Sequence, residues 1–327
     1  MGRIEPHYSK EGRAILADVV PLSQPFSIQI EASQVCNISC NYCMQSFIKQ
    51  DRPKIMDMDT FDTLCYRMAD FDDRLKQVNW AGWGEPLVNK NLPGMIDELR
   101  AYDITENIAV VTNGLLLEPS LSYDLIESGL NHLRISLQGM TSEKYKEVCG
   151  KGIDYEAFIE NIRWFYNHKK DCQISIKIAD VSLGEGEREL FFDTFEPMAD
   201  RVYVESIRPM FSQNKQDGMI ISKYGEEHPP VSTCPLPFYM FSITAAGDIL
   251  PCCAYSDPVG LGNIKDKSLK LLWEGQEMRE FQIMLLSGQR NNQNRYPVCC
   301  HCLMPDAILT PGDNIDVKAK EITRRLL

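Results

Sequence analysis

Cys36-Asn37-Ile38-Ser39-Cys40-Asn41-Tyr42-Cys43 sets three thiols in one short run, at C-x3-C-x2-C spacing. It follows directly on an apolar alternation, Phe26-Ser27-Ile28-Gln29-Ile30. Closely spaced thiolates are how a chain wraps an iron–sulfur cluster, because neighbouring cysteines reach several irons of one cube. A four-iron cluster held wholly by protein wants a fourth thiolate, which is absent here. The gap calls for a distant fourth residue or an iron left open to a substrate or cofactor. Two other readings fit the spacing. Positions i, i+4 and i+7 share a helix face, as three buried core cysteines would, but Asn37, Ser39 and Asn41 favour turns over helix. Zinc also uses C-x2-C pairs, yet three cysteines after a strand, with no histidine nearby, favour iron–sulfur.

With Tyr42 directly before the third cysteine, Cys36, Cys40 and Cys43 resemble the signature of the radical S-adenosylmethionine (radical SAM) superfamily. The resemblance implies a [4Fe-4S] cluster with an open iron, chelated by the amino and carboxylate groups of S-adenosyl-L-methionine. It also implies reductive cleavage of that cofactor to a 5′-deoxyadenosyl radical that abstracts hydrogen. The protein's share of such chemistry is to position cofactor and substrate and to exclude competing reactions.

The length of 327 residues allows one large domain or two ordinary ones. Its 44% hydrophobic and 24% charged residues are ordinary for a soluble globular chain with ample core. A net charge of −12 without a long basic run disfavours a nucleic-acid partner. No apolar run approaches the roughly 18 residues of a membrane span, and the N-terminus lacks a signal-peptide core. A cytoplasmic location is expected, so the twelve cysteines read as metal or redox chemistry before disulfides.

From about residue 26 to 208, short β-rich runs alternate with helical stretches. Strands are predicted at Ser27–Ala32, Gln77–Ala81, Asn107–Thr112, His132–Leu137, Gln173–Ile178 and Arg201–Ile207. Helices are predicted at Asp59–Phe71, Leu92–Tyr102, Leu121–Ser128, Thr141–Cys149, Asp154–Asn167 and Glu187–Glu196. Such alternation implies a parallel sheet with helical crossovers. Six units are too few for a full eight-fold barrel and resemble the radical SAM family's (β/α)6 partial TIM-type barrel. In parallel sheets the loops after the strands gather at one face, where α/β proteins place their chemistry.

The three cysteines follow the first strand, as that rule demands. After the second strand comes Gly82-Trp83-Gly84-Glu85-Pro86, similar to the family's Gly-Gly-Glu-Pro motif apart from the inserted Trp83. The resemblance implies that Gly82 and Gly84 let backbone approach the cofactor, and that Glu85 or nearby carbonyls receive its ammonium. Thr112-Asn113-Gly114 stands in the position of the family's Thr-Asn-Gly, although Asn-Gly is first of all a turn signal. The fourth strand carries Arg134, Ser136 and Gln138 on one face; family precedent brings Ser136 to the cofactor's ribose or carboxylate. Lys177 lies in the apolar run Ile174–Ile178, where a lysine needs a partner. The cofactor's carboxylate is one candidate, and snorkelling from a sheet edge is the alternative.

Residues 209–233 turn to Ser, Gln, Asn, Gly, Glu and Pro, and read as a connector. Cys234 opens a second cysteine set. Phe238–Thr244 and Asp248–Cys252 read as a hairpin turned at Ala246-Gly247, with helical runs near Ser268–Trp273 and Gln276–Leu286. Cys299 and Cys302 then form another C-x2-C pair. On spacing alone, Cys234, Cys252, Cys299 and Cys302 suit a four-iron cluster or tetrahedral zinc equally. Cys234, Gly247 and Cys252 resemble the C-x(9–15)-G-x4-C opening of the SPASM extension of radical SAM enzymes. Only Cys299-x2-Cys302 follows, like the shorter twitch type, which implies one auxiliary [4Fe-4S] cluster. Cys65, Cys149, Cys172, Cys253 and Cys300 remain over as small hydrophobes or groups beside a ligand. Cys253, next to Cys252 on a strand, is the candidate hydrogen-atom donor.

The expected organisation is an N-terminal extension (1–25), a radical SAM partial barrel (26–208), the connector, a twitch/SPASM-like α+β domain (234–312) and a C-terminal helix (313–327). The expected activity is hydrogen abstraction from a small polar, sugar- or cyclitol-like substrate, ending in dehydrogenation or epimerisation. Flavodoxin or ferredoxin is the expected one-electron donor. A peptide-modifying maturase is the rival enzyme. The roughly 25 residues before the first strand, too few for a domain with its own core, count against it. An iron–sulfur or zinc scaffold is the non-enzyme alternative, which leaves Gly82–Pro86, Asn113 and Ser136 unexplained.

Overall fold

Period-two alternation builds the first strand. Ile28 and Ile30 are fully buried toward the helices, while Ser27 and Gln29 stay half-buried on the opposite face. The computed structural model describes residues 14–47, 54–210, 219–253, 259–291 and 297–327. Residues 1–13 of the expected extension, 211–218 of the connector, and 254–258 and 292–296 of the expected cysteine domain lie outside them.

The six predicted strands all form: β1 (Ser27–Ile30), β2 (Gln77–Trp80), β3 (Ile108–Thr112), β4 (His132–Leu137), β5 (Gln173–Ala179) and β6 (Arg201–Glu205). Each pairs in parallel with the next, and parallel pairing requires a crossover between strands. Helices at Met58–Met68, Leu92–Ala101, Pro119–Glu127, Ser142–Cys149 with Tyr155–His168, and Glu187–Phe195 supply these crossovers. Phe61, Trp80, Phe165, Phe191, Phe192 and Phe195 are almost fully buried, each contributing about 1.5–3 kcal/mol of hydrophobic stabilisation.

Element ends differ from the sequence reading for local reasons. The first long helix starts at Met58, capped by Asp57, whose carboxylate accepts from Thr60 N at 2.8 Å. It stops at Met68, short of Phe71, where Asp70, Asp72 and Asp73 would crowd negative charge at the negative end of the helix dipole. Another helix begins at Pro119 rather than Leu121, since proline fits a first turn. The C-terminal helix is Ala319–Leu326 only, preceded by two 3-10 turns.

The connector forms a small antiparallel pair, β7 (Ile220–Ile221) with β8 (Glu227–His228). The predicted hairpin is present as β9 (Met240–Ile243) and β10 (Ile249–Leu250), turned at Gly247 with φ +86°. The hairpin extends the main sheet. β9 pairs in parallel with β1, from Ser27↔Met240 to Ile30↔Ile243, so one sheet runs β10-β9-β1-β2-β3-β4-β5-β6. This pairing carries Cys252 and Cys253 to the edge of the barrel mouth. Among the described residues no helix is long and apolar enough to cross a membrane.

Candidate functional site

The loop after β1 is held from two sides. Ser39 N donates to Cys149 O at 3.3 Å and Asn41 N to Val148 O at 2.8 Å, both from the end of the Ser142–Cys149 helix. On the other side, Glu85 N donates to Val35 O at 2.9 Å. Cys36, Cys40 and Cys43 are thereby half-buried at the barrel mouth. Burial pushes the bare thiols of Cys36 and Cys40 up, so their thiolates need a nearby positive centre, which a bound metal supplies.

The loop after β2 follows from glycine geometry. Gly84 has φ +75°, and a Cβ there would lie 2.2 Å from the Ser33 carbonyl oxygen and 2.7 Å from that of Val35. Gly82 has φ +128° and leaves room for the Glu31 side chain. Buried Glu31 accepts from Trp83 N at 3.3 Å and Gln34 Nε2 at 3.1 Å. Burial raises its pKa, against the lowering pull of those hydrogen bonds.

Glu85 is 2% exposed, and its carboxylate is engaged within the protein. It accepts from Thr112 Oγ1 at 2.6 Å, Asn113 N at 2.7 Å and Leu87 N at 3.0 Å. The resemblance gives the ammonium to Glu85 or nearby carbonyls; these contacts show that Glu85 also fixes Asn113. Asn113 Nδ2 then donates to Asn37 Oδ1 at 2.7 Å, inside the cysteine loop. Tyr42 bonds Gln138 through its hydroxyl, tying that loop to the end of β4.

Lys177 is not at a sheet edge, because β5 lies between β4 and β6. Its ammonium pairs with Glu205, and Lys223 of the connector reaches the same carboxylate at 3.0 Å. Burial opposes the charge on Glu205, but Lys177 and Lys223 outweigh it and hold its carboxyl well below the usual carboxylate range.

These groups share one cavity of about 520 Å³. Its wall contains Cys36, Cys40, Cys43, Tyr42, Gly82, Gly84, Glu85, Asn113, Ser136 and Lys177, all named from the sequence. Gln29, Gln138, Met210 and Lys223 join them. Glu31, Lys223 and Asn37 were not singled out by sequence reasoning. The signal for Glu31 was its place on the inward phase of β1, two residues after Gln29; Lys223 fell within the connector, whose composition carries no such signal.

Cys234, Cys252, Cys299 and Cys302 surround a second space of about 30 Å³, lined otherwise mostly by apolar side chains. Arg290 is the one charged residue on that wall among the described residues. It donates Nη1 to Cys302 O and Nη2 to Val231 O, each at 3.3 Å, while its buried Nε–H has no acceptor among the described residues. Cys253 borders both spaces, and burial pushes its thiol up to about 11. Cys300 borders neither.

Among the described residues no three Cys, His, Asp or Glu side chains converge on a site for one metal ion.

The family model for the radical SAM superfamily matches residues 30–190, and that for the SPASM iron–sulfur cluster-binding domain matches 234–303. A probable GTP 3′,8-cyclase of Methanococcus vannielii is 31% identical over 128 residues, 39% of this chain and 41% of the relative. The GTP 3′,8-cyclase of Alkaliphilus oremlandii is 29% identical over 41% of each chain. The chain thus spans about two-fifths of the length of these curated relatives. Among solved structures, BtrN in complex with AdoMet and 2-DOIA superposes with TM-score 0.54 and 19% identity, over 84% of this chain and 92% of BtrN. Streptococcus suis SuiB bound to precursor peptide SuiA gives 0.58 and 16%, over 91% and 78%. These likenesses are of fold.

Proposed function

Because the chain belongs to the radical SAM superfamily and ends in a SPASM iron–sulfur domain, we propose that it removes a hydrogen atom from a small, polar, carbohydrate-like substrate. The reading rests on one observation. The three cysteines of the β1 loop and the polar groups after β2 to β5 face the same cavity, and Cys253 forms part of its wall. A volume of about 520 Å³ is of the order that small-molecule sites occupy.

In this reading Cys36, Cys40 and Cys43 hold a [4Fe-4S] cluster with an open iron, and Cys234, Cys252, Cys299 and Cys302 hold the auxiliary one. Backbone at Gly82 and Gly84, with Asn113, Ser136 and Lys177, receives S-adenosylmethionine. When bound and reduced by an external donor such as ferredoxin or flavodoxin, cluster and cofactor supply a 5′-deoxyadenosyl radical that abstracts substrate hydrogen.

The chain's own residues do the positioning. Glu85 holds the Asn113 backbone, and Asn113 holds the cysteine loop through Asn37. Tyr42 and Gln138 brace the same loop against β4. Met210 and Cys253 close the cavity on the side of the second cysteine set. Gln29, Ser136 and Gln138 offer hydrogen-bonding groups suited to hydroxyls. Cys253 offers a thiol hydrogen atom to the substrate, which an epimerisation requires and a dehydrogenation does not.

The test is anaerobic reconstitution, reduction with S-adenosylmethionine present, and chromatography of the products. Formation of 5′-deoxyadenosine is expected, and its absence from fully loaded protein would sink the proposal. With a turned-over carbohydrate in hand, Cys253→Ala in deuterated water separates the two outcomes. Deuterium return lost in the variant means epimerisation; unchanged product without deuterium means dehydrogenation.

A further inference from the structure

Asn113 and Cys36 both line the open cavity, and the Asn113 side-chain amide has its orientation set by the chain itself. Leu115 N, which can only donate, lies 3.0 Å from Asn113 Oδ1. That contact fixes the oxygen and turns Nδ2 toward the β1 loop. There Nδ2 stands 2.7 Å from Asn37 Oδ1 and 3.9 Å from Cys36 Sγ. An amide nitrogen carries two N–H groups, so it can serve both acceptors at once.

The amide is also held from behind. Asn113 is 6% exposed, and its backbone N–H donates to the Glu85 carboxylate at 2.7 Å. Thr112 Oγ1 donates to the same carboxylate at 2.6 Å and accepts from Gly114 N at 2.9 Å. The N–H on the side of Cys36 is therefore in place before anything binds. At 3.9 Å its contact with a neutral thiol is long. A thiolate on iron is a charged acceptor, toward which hydrogen bonds are shorter and roughly twice as strong.

Hydrogen bonds to the sulfurs of an iron–sulfur cluster help to set its reduction potential. A donor on a ligand sulfur offsets negative charge, and so favours the form that carries one more electron. We propose that Asn113 is a positioning residue that tunes the β1-loop cluster, its Nδ2–H bonding the Cys36 thiolate and raising the potential at which one electron enters from the external donor. This deepens the functional reading above and rests on it, since that reading puts a cluster at Cys36, Cys40 and Cys43. Glu85 then acts on the cluster at one remove, by holding the backbone of the residue that touches its ligand.

The experiment is a redox titration of the anaerobic, cluster-loaded protein without S-adenosylmethionine, followed by electron paramagnetic resonance. The signal of the β1-loop cluster is the one lost when Cys36, Cys40 and Cys43 are all converted to alanine. Asn113→Leu, similar in size but without the donor, should lower the midpoint. The reduced-to-oxidised ratio at a fixed potential should fall about tenfold, the scale of one hydrogen bond, or about 59 mV for one electron. Asn113→Asp, which sets an oxygen against the thiolate, should lower it at least as far. Asn37→Ala removes the brace within the loop but leaves the N–H to Cys36, so its ratio should stay within about twofold of wild type. Thermal melts and iron content identify a variant that fails to fold or load, and the isosteric Asn113→Asp provides the test if Asn113→Leu does.

Two results overturn the proposal: a midpoint that falls in neither Asn113 variant, or an equal fall in Asn37→Ala, which would trace the effect to the shape of the loop. Failure of the wider reading looks different, since wild-type protein would then carry no iron at the first cysteine set and show no such signal.

Discussion

Cys36, Cys40 and Cys43 stand half-buried on a cavity of about 520 Å³, whereas Cys234, Cys252, Cys299 and Cys302 close around about 30 Å³. The first wall is rich in amide, hydroxyl and charged groups; the second is apolar apart from Arg290 and the thiols. In the proposed reading both sets bind iron and sulfide, yet only the first leaves room for anything else. An open, polar site is built to admit a ligand, and a tight, apolar one to enclose its contents. The second set also ties Cys234, ahead of β9, to the distant Pro297–His301 helix, so its contents are part of what holds that region together.

The largest expected effect separates the two sets outright. Converting Cys36, Cys40 and Cys43 to alanine should lower iron from about eight to about four per chain. It should abolish 5′-deoxyadenosine formation and leave the melting temperature within a few degrees of wild type. Converting the four auxiliary cysteines should remove about as much iron and also expose residues 259–327 to protease. A first-set variant that melts as badly as the second would break the contrast.

How far the sequence spoke depends on whether a feature was local. The six strands, the cysteine loop and the glycine loop were legible because alternation, spacing and turn chemistry are short-range signals. The pairing of β9 with β1 was not, since nothing within Met240–Ile243 names its partner more than 200 residues earlier. Lys177 was flagged as anomalous, but Glu205 and Lys223 as its companions emerge only from strand register and the path of the connector. The hydrogen-bond partners of Glu85 were hidden for the same reason. A motif locates a carboxylate along the chain, while its direction depends on what the β3 loop offers.

A smaller effect probes the open site's rigidity. Gly84→Ala places a methyl 2.2 Å from the Ser33 carbonyl at a φ of +75°, a strain of about 1–3 kcal/mol. Because Gly84 packs on the chain just before Cys36, affinity for S-adenosylmethionine should fall together with stability. Iron in the second set should be untouched. Loss of auxiliary iron in this variant would mean that the two sites are mechanically coupled through β1 and β9.

Arg290 sharpens the comparison from the closed side. Its guanidinium is 8% exposed, with one N–H lacking an acceptor among the described residues, and in the proposed reading a cluster held by four thiolates supplies negative charge beside it. Arg290→Met should therefore act with opposite signs on the two forms. The metal-free protein gains stability because a buried charge with no carboxylate partner among the described residues disappears. The loaded protein releases auxiliary iron to a chelator about tenfold faster, for want of roughly 1.4 kcal/mol of charge complementarity. Destabilisation of both forms would make Arg290 a packing residue only.

The gentlest probe is pH, and it tests whether the barrel's polar interior is dry beneath the cavity. His132 is buried, bonds Ser175 Oγ through Nε2 at 2.7 Å and accepts from Arg134 at Nδ1. Burial first, then Arg134 and Arg201, push its pKa down to about 3. Its value in the unfolded chain is about 6.5. Between these values the unfolded chain binds a proton that the folded one refuses, so stability falls as pH falls through that window. From pH 7 to 5 the loss from this one residue is on the order of 2 kcal/mol. In thermal melts His132→Gln should therefore lose less stability over that range than wild type. Equal slopes would mean that water reaches His132 and solvates its charge. The open site would then extend down to the level of Arg134, and the polar character that distinguishes it from the cysteine enclosure would run through the barrel rather than stop at its mouth.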